Sequence, residues 1–245
     1  MAAMKPILET SGLKCHFGGL KAVDGIDFSL NEGEIRAIIG PNGAGKTTFV
    51  SLLSGRTPVT AGTVLFRGED VTAMPAFQRV RRGIAYTFQI TNIYPKLTVT
   101  ENIAIAVLGR AQRDGRKAVD FRGETEAALA AVGLTNRAYE KAGEMAYGHQ
   151  RLVEVAMGLA LKPSLLILDE PTQGLADSEI DNFCGLVRDI GKTATVLLIE
   201  HNMDVVMRLA DRITVLNRGK LLAEGTPAEI SANAEVQAAY LGTST

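Results

Sequence analysis

A glycine-rich segment near the N-terminus has the residue types and the spacing that bind phosphate. It runs from Gly40 to Thr47 and fits the pattern G-x-x-x-x-G-K-[ST]. Glycines let successive backbone N–H groups turn towards one anion because no Cβ stands in the way. Lys46 can reach the β- and γ-phosphates of a nucleotide, and the Thr47 hydroxyl can ligate Mg²⁺. The segment therefore predicts a nucleotide-phosphate site.

Two other interpretations of this segment explain less. An ordinary glycine-rich turn between a strand and a helix would leave Lys46 without a role. A dinucleotide-binding turn would show G-x-G-x-x-G after the strand, and the segment lacks that pattern. A helix predicted to begin at Lys46 adds its positive N-terminal end, which favours the phosphate interpretation.

Two carboxylates follow a second apolar run and could complete the chemistry. Residues 165–168 are Leu-Leu-Ile-Leu, and Asp169 and Glu170 come next. At the carboxyl edge of a parallel sheet, Asp169 would lie beside the phosphate loop and hold Mg²⁺ directly or through water. Adjacent strand residues point to opposite faces, so Glu170 would be free to polarise an attacking water. The alternative is a solvated pair of charges at the end of the strand.

A histidine follows a third apolar run. Thr195–Ile199 predicts a buried strand, and Glu200 and His201 come directly after it. Single histidines are usually structural or solvated. One at the end of a neighbouring parallel strand is well placed to contact a γ-phosphate.

These groups need a scaffold, and short apolar runs that alternate with helical segments predict a mostly parallel α/β sheet. The middle of the chain instead predicts helices joined by a charged connection over residues 109–123. We therefore expect one domain, with an α/β core (residues 1–88 and 163–245) and an inserted helical subdomain (residues 89–162). The predicted strands are 34–39, 63–66, 83–88, 165–168 and 195–199, and the predicted helices are 46–53, 98–108, 124–132 and 149–161.

The composition limits what else the protein could be. The chain has 245 residues, 26 Lys and Arg against 27 Asp and Glu, and a net charge of −1. This balance gives no field that would attract nucleic acid or anionic lipid. No apolar run approaches the roughly 20 residues that span a bilayer, and the N-terminus does not resemble a secretory signal. Cys15 and Cys184 are expected to be small buried hydrophobes in a reducing cytosol.

The motifs and their order resemble the ATP-binding subunits of ABC transporters over nearly the whole chain. Residues 40–48 resemble Walker A, and residues 165–170 resemble Walker B with its catalytic glutamate. Gln89 is similar to the Q-loop glutamine that senses Mg²⁺ and the membrane partner, and His201 to the switch histidine. Phe17 stands where the family stacks an aromatic ring on adenine, and a core phenylalanine is the alternative for it.

The resemblance implies a P-loop NTPase core with an N-terminal antiparallel β portion, and ATP and Mg²⁺ as cofactors. Glu170 would act as general base, while Lys46 and His201 stabilise the charge that develops on the γ-phosphate. The implied metal-binding residues are Thr47, Gln89 and Asp169. The implied nucleotide-binding residues are Phe17, Gly40, Pro41, Asn42, Gly43, Ala44, Gly45, Lys46, Thr47, Thr48, Gln89, Ala146, Tyr147 and Gly148.

Two motifs depart from the family's pattern. The family's signature reads Leu-Ser-Gly-Gly-Gln, and residues 145–149 here read Met-Ala-Tyr-Gly-His. The serine hydroxyl that meets the γ-phosphate of the paired subunit is missing at Ala146, and backbone N–H groups near Gly148 remain to bind it. After Walker B, Ala176 stands where an aspartate is usual. We expect these changes to weaken the ATP-driven closure of a dimer without abolishing it.

The variant signature, residues 199–203 and the tail at 239–242 are most similar to the ATPases of branched-chain amino-acid uptake systems. That subgroup also serves amides, urea and aromatic acids, so the cargo stays open. The resemblance implies a head-to-tail dimer with itself or a related subunit, transmembrane permease subunits, indirectly a solute-binding protein, and no nucleic acid. We expect the protein at the cytoplasmic face of the inner membrane. Residues 90–97 would contact the permease, with packing between the two lobes as the alternative.

Two other functions are compatible with these motifs. Lipid-export ATPases share most of them, and a nucleotide-binding scaffold that barely hydrolyses ATP would tolerate the altered signature. Intact Glu170 and His201 oppose the scaffold. A turnover assay separates the scaffold from the two ATPases.

Overall fold

Six strands form a central sheet that is parallel except at one edge. The structure is a computed structural model that describes residues 5–87, 91–115 and 119–241. The two strands that come last in the sequence pair antiparallel, and the other four neighbouring pairs of this sheet are parallel. The order across the sheet is β10 (Lys220–Gly225), β9 (Arg212–Asn217), β3 (Ile35–Ile39), β8 (Thr195–Ile199), β7 (Leu165–Asp169) and β6 (Ile84–Tyr86).

The inner strands are continuous apolar runs because helices or a second sheet cover both of their faces. Every residue of β3, β7 and β8 is buried. In β7, Leu165 and Ile167 pack on one face of the sheet, and Leu166 and Leu168 pack on the other. By the same alternation Asp169 faces the side of Leu165 and Ile167. The strands predicted from these runs are confirmed to within one or two residues at each end.

A second, antiparallel sheet covers this face and confirms the predicted N-terminal β portion. Cys15 is buried on it, as expected, and Cys184 is buried elsewhere in the core. The sheet closes one hydrophobic core together with the apolar side of the central strands. Its order is β2 (Leu20–Asn31), β1 (Pro6–Phe17), β4 (Ala61–Phe66) and β5 (Glu69–Asp70).

Helix α1 (Lys46–Leu53) lies between the two sheets, with the bounds that the sequence predicts. Its Phe49 is fully buried and meets Phe28 edge-on, with ring centroids 5.4 Å apart. Arg79 of α2 (Ala76–Arg82) donates hydrogen bonds to the carbonyls of Leu52 and Leu53 at the end of α1. Burial lowers the pKa of Arg79 to about 10. The buried guanidinium thus satisfies carbonyls that the helix leaves without partners.

The other face of the central sheet carries a helical region of α3 (Val99–Arg113), α4 (Phe121–Ala131) and α5 (Tyr147–Ala160). The predicted charged connection over 109–123 is wrong in its first part, because α3 continues to Arg113. Arg110 is fully buried there and forms an ion pair with Glu124 of α4, so these charges lie inside the region. The helices share one core with the sheet. The division at residues 89–162 stays a prediction.

Four further helices follow β7 in the described part of the chain, and like α2 they were not predicted. The last of them returns to the phosphate loop, where burial raises the pKa of Tyr240 and the adjacent backbone of Gly40 acts in the opposite direction. Within the described part of the chain, no helix is both long and apolar enough to cross a membrane. The four are α6 (Asp177–Gly191), α7 (Met203–Leu209), α8 (Pro227–Ser231) and α9 (Ala234–Leu241).

Candidate functional site

The phosphate loop joins the end of β3 to the start of α1, and two of its positions accept only glycine. A Cβ on Gly40 would lie 2.2 Å from the Leu216 carbonyl oxygen, and one on Gly45 would lie 2.3 Å from the Ala22 carbonyl oxygen. Gly45 also has a φ of 96°, which side chains rarely adopt. The loop is therefore held tightly between the start of β2 and the end of β9.

The open side of the loop borders a cavity of about 560 Å³. The cavity brings together several residues that the sequence singled out, since it is lined by residues 42–48 and Glu170. Gly40 and Pro41 belong to the loop but do not line the cavity. Residues 20–22 and Arg218 also line it, and they were not among the predicted site residues. Arg218 lies in the tight turn between β9 and β10, which the Arg-Gly pair at 218–219 could have signalled.

Lys46 folds back on its own loop. Its Nζ donates hydrogen bonds to the carbonyl oxygens of Gly40, at 2.7 Å, and Pro41, at 3.2 Å. Burial lowers the pKa of the ammonium, and the nearby carboxylates of Glu170 and Asp169 act in the opposite direction. The Lys46 ammonium can exchange these carbonyls for phosphate oxygens by moving only its side chain.

Asp169 ends β7 and is fully buried. Its Oδ2 accepts a hydrogen bond of 2.5 Å from the Tyr86 hydroxyl, and the Arg56 guanidinium lies 4.5 Å from the centre of the Tyr86 ring. Its Oδ1 is buried and has no hydrogen-bond partner among residues 5–87, 91–115 and 119–241. Burial raises the pKa of the carboxyl, against the Tyr86 hydrogen bond, which lowers it. A buried oxygen in this state fits the hard oxygen ligand that Mg²⁺ prefers.

Glu170 reaches the cavity for a different reason from the one predicted. The strand ends at Asp169, and Glu170 has a φ of 48°, in the left-handed region that non-glycine residues rarely adopt. Strand alternation would have turned its side chain to the opposite face of the sheet. The left-handed turn brings the Glu170 carboxylate to the same cavity as Lys46. Backbone strain of this kind concentrates at functional sites.

His201 lies beside Glu170, as the parallel pairing of β7 and β8 predicts. The imidazole Nδ1 is 4.0 Å from Glu170 Oε2, and the side chain is 63% exposed. The histidine is therefore accessible to a ligand that approaches from outside the cavity.

The signature residues lie apart from this cavity. Ala146 is the N-cap of α5 and makes no side-chain capping bond, and the Tyr147 ring lies 5.5 Å from the Arg151 guanidinium carbon. Gly148 is packed closely, since a Cβ there would lie 3.0 Å from the Gly174 carbonyl oxygen. The start of α5 thus packs against the segment that follows Glu170, and none of Ala146, Tyr147 and Gly148 lines the cavity.

Phe17 and Gln89 are the two remaining residues of the predicted site. Phe17 ends β1 and its side chain is 55% exposed, so the alternative of a core phenylalanine is wrong. Its predicted contact with adenine stays a prediction. Gln89, predicted to bind nucleotide and metal, lies outside the described residues.

A phosphate loop after one parallel strand, with an acidic pair after another, defines a P-loop nucleotide hydrolase. The family model described as "ABC transporter" matches residues 23–173, and the model described as "Branched-chain amino acid ATP-binding cassette transporter" matches residues 220–244. The chain belongs to the ABC transporter family and is one of its ATP-hydrolysing cassettes.

Similar proteins extend over almost the full chain. The branched-chain amino acid transport ATP-binding protein BraF of Pseudomonas aeruginosa is 38% identical over 254 residues, which cover 97% of this chain and 98% of BraF. LivG of Escherichia coli, which has the same description, is 39% identical over 251 residues, with coverage of 97% and 98%. LivG of Archaeoglobus fulgidus is 36% identical over 248 residues, with coverage of 96% and 95%.

Solved structures have the same fold. A nucleotide-free ATP-binding cassette from an ABC transporter superimposes with a TM-score of 0.85 at 29% identity, over 96% of this chain and 99% of that one. A cassette in its ADP conformation also gives 0.85 at 29% identity, over 97% and 99%. The predicted α/β architecture of a P-loop NTPase is thereby confirmed.

Proposed function

We propose that this chain is the ATP-hydrolysing subunit of an importer for branched-chain amino acids or related small solutes. The observation that carries the cargo class is the match of residues 220–244 to a C-terminal segment of branched-chain amino acid cassettes. Relatives named for that transport, which are similar over 97% of this chain, support it. A cassette of this family powers the transporter, and the permease contacts the cargo.

ATP would enter the cavity with its phosphates on the loop and its base towards Phe17. Lys46 would exchange the loop carbonyls for the β- and γ-phosphate oxygens. Thr47, Asp169 and Gln89 would hold Mg²⁺, which when bound neutralises charge between the two phosphates. The unpartnered Oδ1 of Asp169 supports this metal site.

Hydrolysis would then depend on Glu170 and His201. The Glu170 carboxylate lines the cavity next to Lys46, so it can accept the proton of a water that attacks the γ-phosphate. The exposed imidazole of His201, 4.0 Å from Glu170, can donate to a γ-phosphate oxygen. Both groups act on charge that develops in the transition state, which is where such contacts accelerate a reaction.

A second cassette would close over the nucleotide, with its signature facing the phosphate loop of the first. The distance of Ala146, Tyr147 and Gly148 from their own chain's cavity supports this head-to-tail arrangement. With no hydroxyl at Ala146, the backbone N–H groups at the start of α5 would bind the γ-phosphate. ATP would favour closure because it binds the closed dimer better than the open one.

The dimer would associate with permease subunits at the cytoplasmic face of the membrane, and indirectly with a solute-binding protein. Tyr94 is 51% exposed, and Asn102 fixes its backbone with hydrogen bonds in both directions. Ile93 packs against the helical core instead. We therefore assign the permease contact to Tyr94 rather than to the whole of residues 90–97. Tyr94→Ser should reduce co-purification of the permease, and an unchanged yield would contradict the assignment.

The decisive experiment replaces Glu170 by glutamine. This variant should bind ATP as the wild type does and lose about 10²- to 10³-fold in kcat, because the amide cannot accept the proton. Glu126→Gln is the control, since Glu126 forms an exposed ion pair with Arg122 within α4. Uptake of labelled leucine by cells that carry the complete transporter should fall with kcat. Undiminished hydrolysis in Glu170→Gln would contradict the role of Glu170.

A further inference from the structure

Glu200 is a buried carboxylate at the edge of the candidate site, and the roles above make no use of it. It lies between the end of β8 and His201, and only 1% of the residue is exposed. A carboxylate is costly to bury unless hydrogen bonds replace its water. The partners of Glu200 therefore show what it holds in place.

Four donors from two different loops converge on this carboxylate. Oε1 accepts hydrogen bonds from the Thr172 backbone N–H, at 3.0 Å, and from the Thr172 hydroxyl, at 2.5 Å. Oε2 accepts from the backbone N–H groups of His201, at 3.1 Å, and Asn202, at 3.3 Å. One oxygen thus binds the loop after β7, and the other binds the loop after β8.

Each of these loops carries one of the two groups proposed to act on the γ-phosphate. Thr172 lies two residues after Glu170, and the Glu170 backbone N–H donates to the Ile199 carbonyl at 2.9 Å. Two sets of hydrogen bonds therefore join the loops. One is the backbone bond between Glu170 and Ile199, and the other is the set that the Glu200 carboxylate accepts. His201 Nδ1 lies 4.0 Å from both Glu170 Oε2 and Glu200 Oε2.

We propose that Glu200 is a positioning residue that sets the distance between the Glu170 carboxylate and the His201 imidazole. It does not line the cavity and acts through the loops. Hydrogen bonds to an ionised acceptor are stronger than those between neutral groups. The four on Glu200, of 2.5 to 3.3 Å, therefore hold both loops in one geometry. The inference rests on the proposed roles of Glu170 and His201.

Glu200→Gln tests this role with almost no change of volume. Its amide would place an N–H₂ group against the N–H donors of one loop and leave them without an acceptor. We expect kcat at saturating ATP to fall about 10- to 100-fold, since small misplacements of catalytic groups have effects of this size. The KM for ATP should stay within roughly twofold, because the phosphate loop is untouched.

Glu34→Gln is the matched control. Glu34 is also buried, at 4% exposure, and accepts hydrogen bonds from the Asn31 backbone and side chain and from the buried Arg36 guanidinium. It directly precedes β3, whereas the phosphate loop follows β3, so the two lie at opposite ends of that strand. This variant should lower the thermal midpoint and leave kcat of the folded protein unchanged. If Glu200→Gln behaves in the same way, Glu200 is only structural and the proposal is wrong.

A second pair of variants keeps the test valid if Glu200→Gln fails to fold. Thr172→Val removes the hydroxyl donor alone and should lower kcat about three- to tenfold. Thr172→Ser keeps that donor and should restore the wild-type kcat at an equal or lower thermal midpoint. Equal kcat values in the valine and serine variants would overturn the proposal.

A double-mutant cycle separates this inference from the proposed function. If Glu200 acts by placing Glu170 relative to His201, Glu200→Gln should cost less kcat in a His201→Ala background than in the wild type. Additive losses would contradict the positioning role while leaving the catalytic roles intact. Full turnover in Glu170→Gln would instead contradict the proposed function itself.

Discussion

Two helices of this chain begin at residues assigned to phosphate, and they differ in what they offer. The first turn of α1 offers Lys46 and Thr47 beside a cavity, and a glycine at its N-cap. The first turn of α5 has Ala146 at its N-cap, without a side-chain capping bond, and packs against the segment after Glu170. The proposed charge and metal chemistry is thus concentrated at α1. The start of α5 offers backbone N–H groups to a phosphate, and it packs against the loop that carries the proposed base.

The difference explains how the signature can depart from the family's pattern while the phosphate loop keeps it. A helix N-terminus binds an anion through backbone N–H groups, which any residue supplies. A lysine that exchanges carbonyls for phosphates has no substitute. We therefore expect substitutions at α1 to have larger effects than equivalent substitutions at α5.

The largest expected effect is that of Lys46→Ala. Removal of the ammonium should lower kcat/KM for ATP about 10³-fold or more, because no other side chain can neutralise the β- and γ-phosphates from within the loop. Steady-state phosphate release measures it. Lys192→Ala is the control, since Lys192 is exposed and paired with Asp189 at the end of α6. A loss of kcat/KM of less than tenfold would contradict the expectation that substitutions at α1 have larger effects than those at α5.

Gly45→Ala should have the next largest effect. The new Cβ would meet the Ala22 carbonyl oxygen at 2.3 Å, and φ is 96°, so the loop must open or strain. We expect a loss of about 2–3 kcal/mol in the free energy of unfolding and weaker binding of a fluorescent ATP analogue. Thermal unfolding with and without nucleotide measures both quantities. Unchanged stability would show that the loop is looser than its contacts imply.

Gly148→Ala makes the corresponding change at α5 and should cost less. Its Cβ would meet the Leu175 side chain at 2.8 Å and the Gly174 carbonyl oxygen at 3.0 Å, and the Leu175 side chain can move. We expect about 1 kcal/mol of lost stability. Binding of ATP to the single chain should be unchanged, and ATP-dependent dimerisation should fall. Equal losses of ATP binding in Gly45→Ala and Gly148→Ala would contradict the comparison.

Ala146→Ser is expected to have the smallest effect, and a favourable one. A serine at the N-cap of α5 can accept a hydrogen bond from the first turn and stabilise the helix by about 0.5–1 kcal/mol. It also restores a hydroxyl for the phosphate of the paired chain. Stability from urea unfolding and dimer formation from light scattering should both rise slightly. A fall in dimer formation would show that the alanine is required.

The sequence predicted the parts of the site that depend on local pattern. The bounds of α1 followed from the glycines before Lys46 and the apolar residues after it, and the strand ends placed Asp169 and His201. The direction of Glu170 could not be predicted, because it depends on one backbone torsion rather than on strand alternation. The role of Glu200 was missed because it arises from hydrogen bonds between two loops that are distant in sequence, which no local spacing records. The turn at Arg218 had a local signal, but its position at the cavity depends on tertiary packing.

The length of α3 was misjudged for a related reason. Arg110 is a charge of the kind that usually marks a solvated connection. The fold buries its side chain and pairs it with the part-exposed Glu124 of the next helix. Pairing between distant segments overrides local polarity, so the charged stretch continues a helix that composition alone would end.

The position of β3 in the sheet also affects when the nucleotide site can fold during synthesis. Its neighbours on the two sides are β8 and β9, and a Cβ on Gly40 would meet the Leu216 carbonyl oxygen of β9 at 2.2 Å. The phosphate loop is therefore synthesised well before β8 and β9, the strands on either side of β3. A nascent chain cannot complete the packing around the loop until these strands have emerged. Binding of ATP thus depends on segments that are made long after the loop itself.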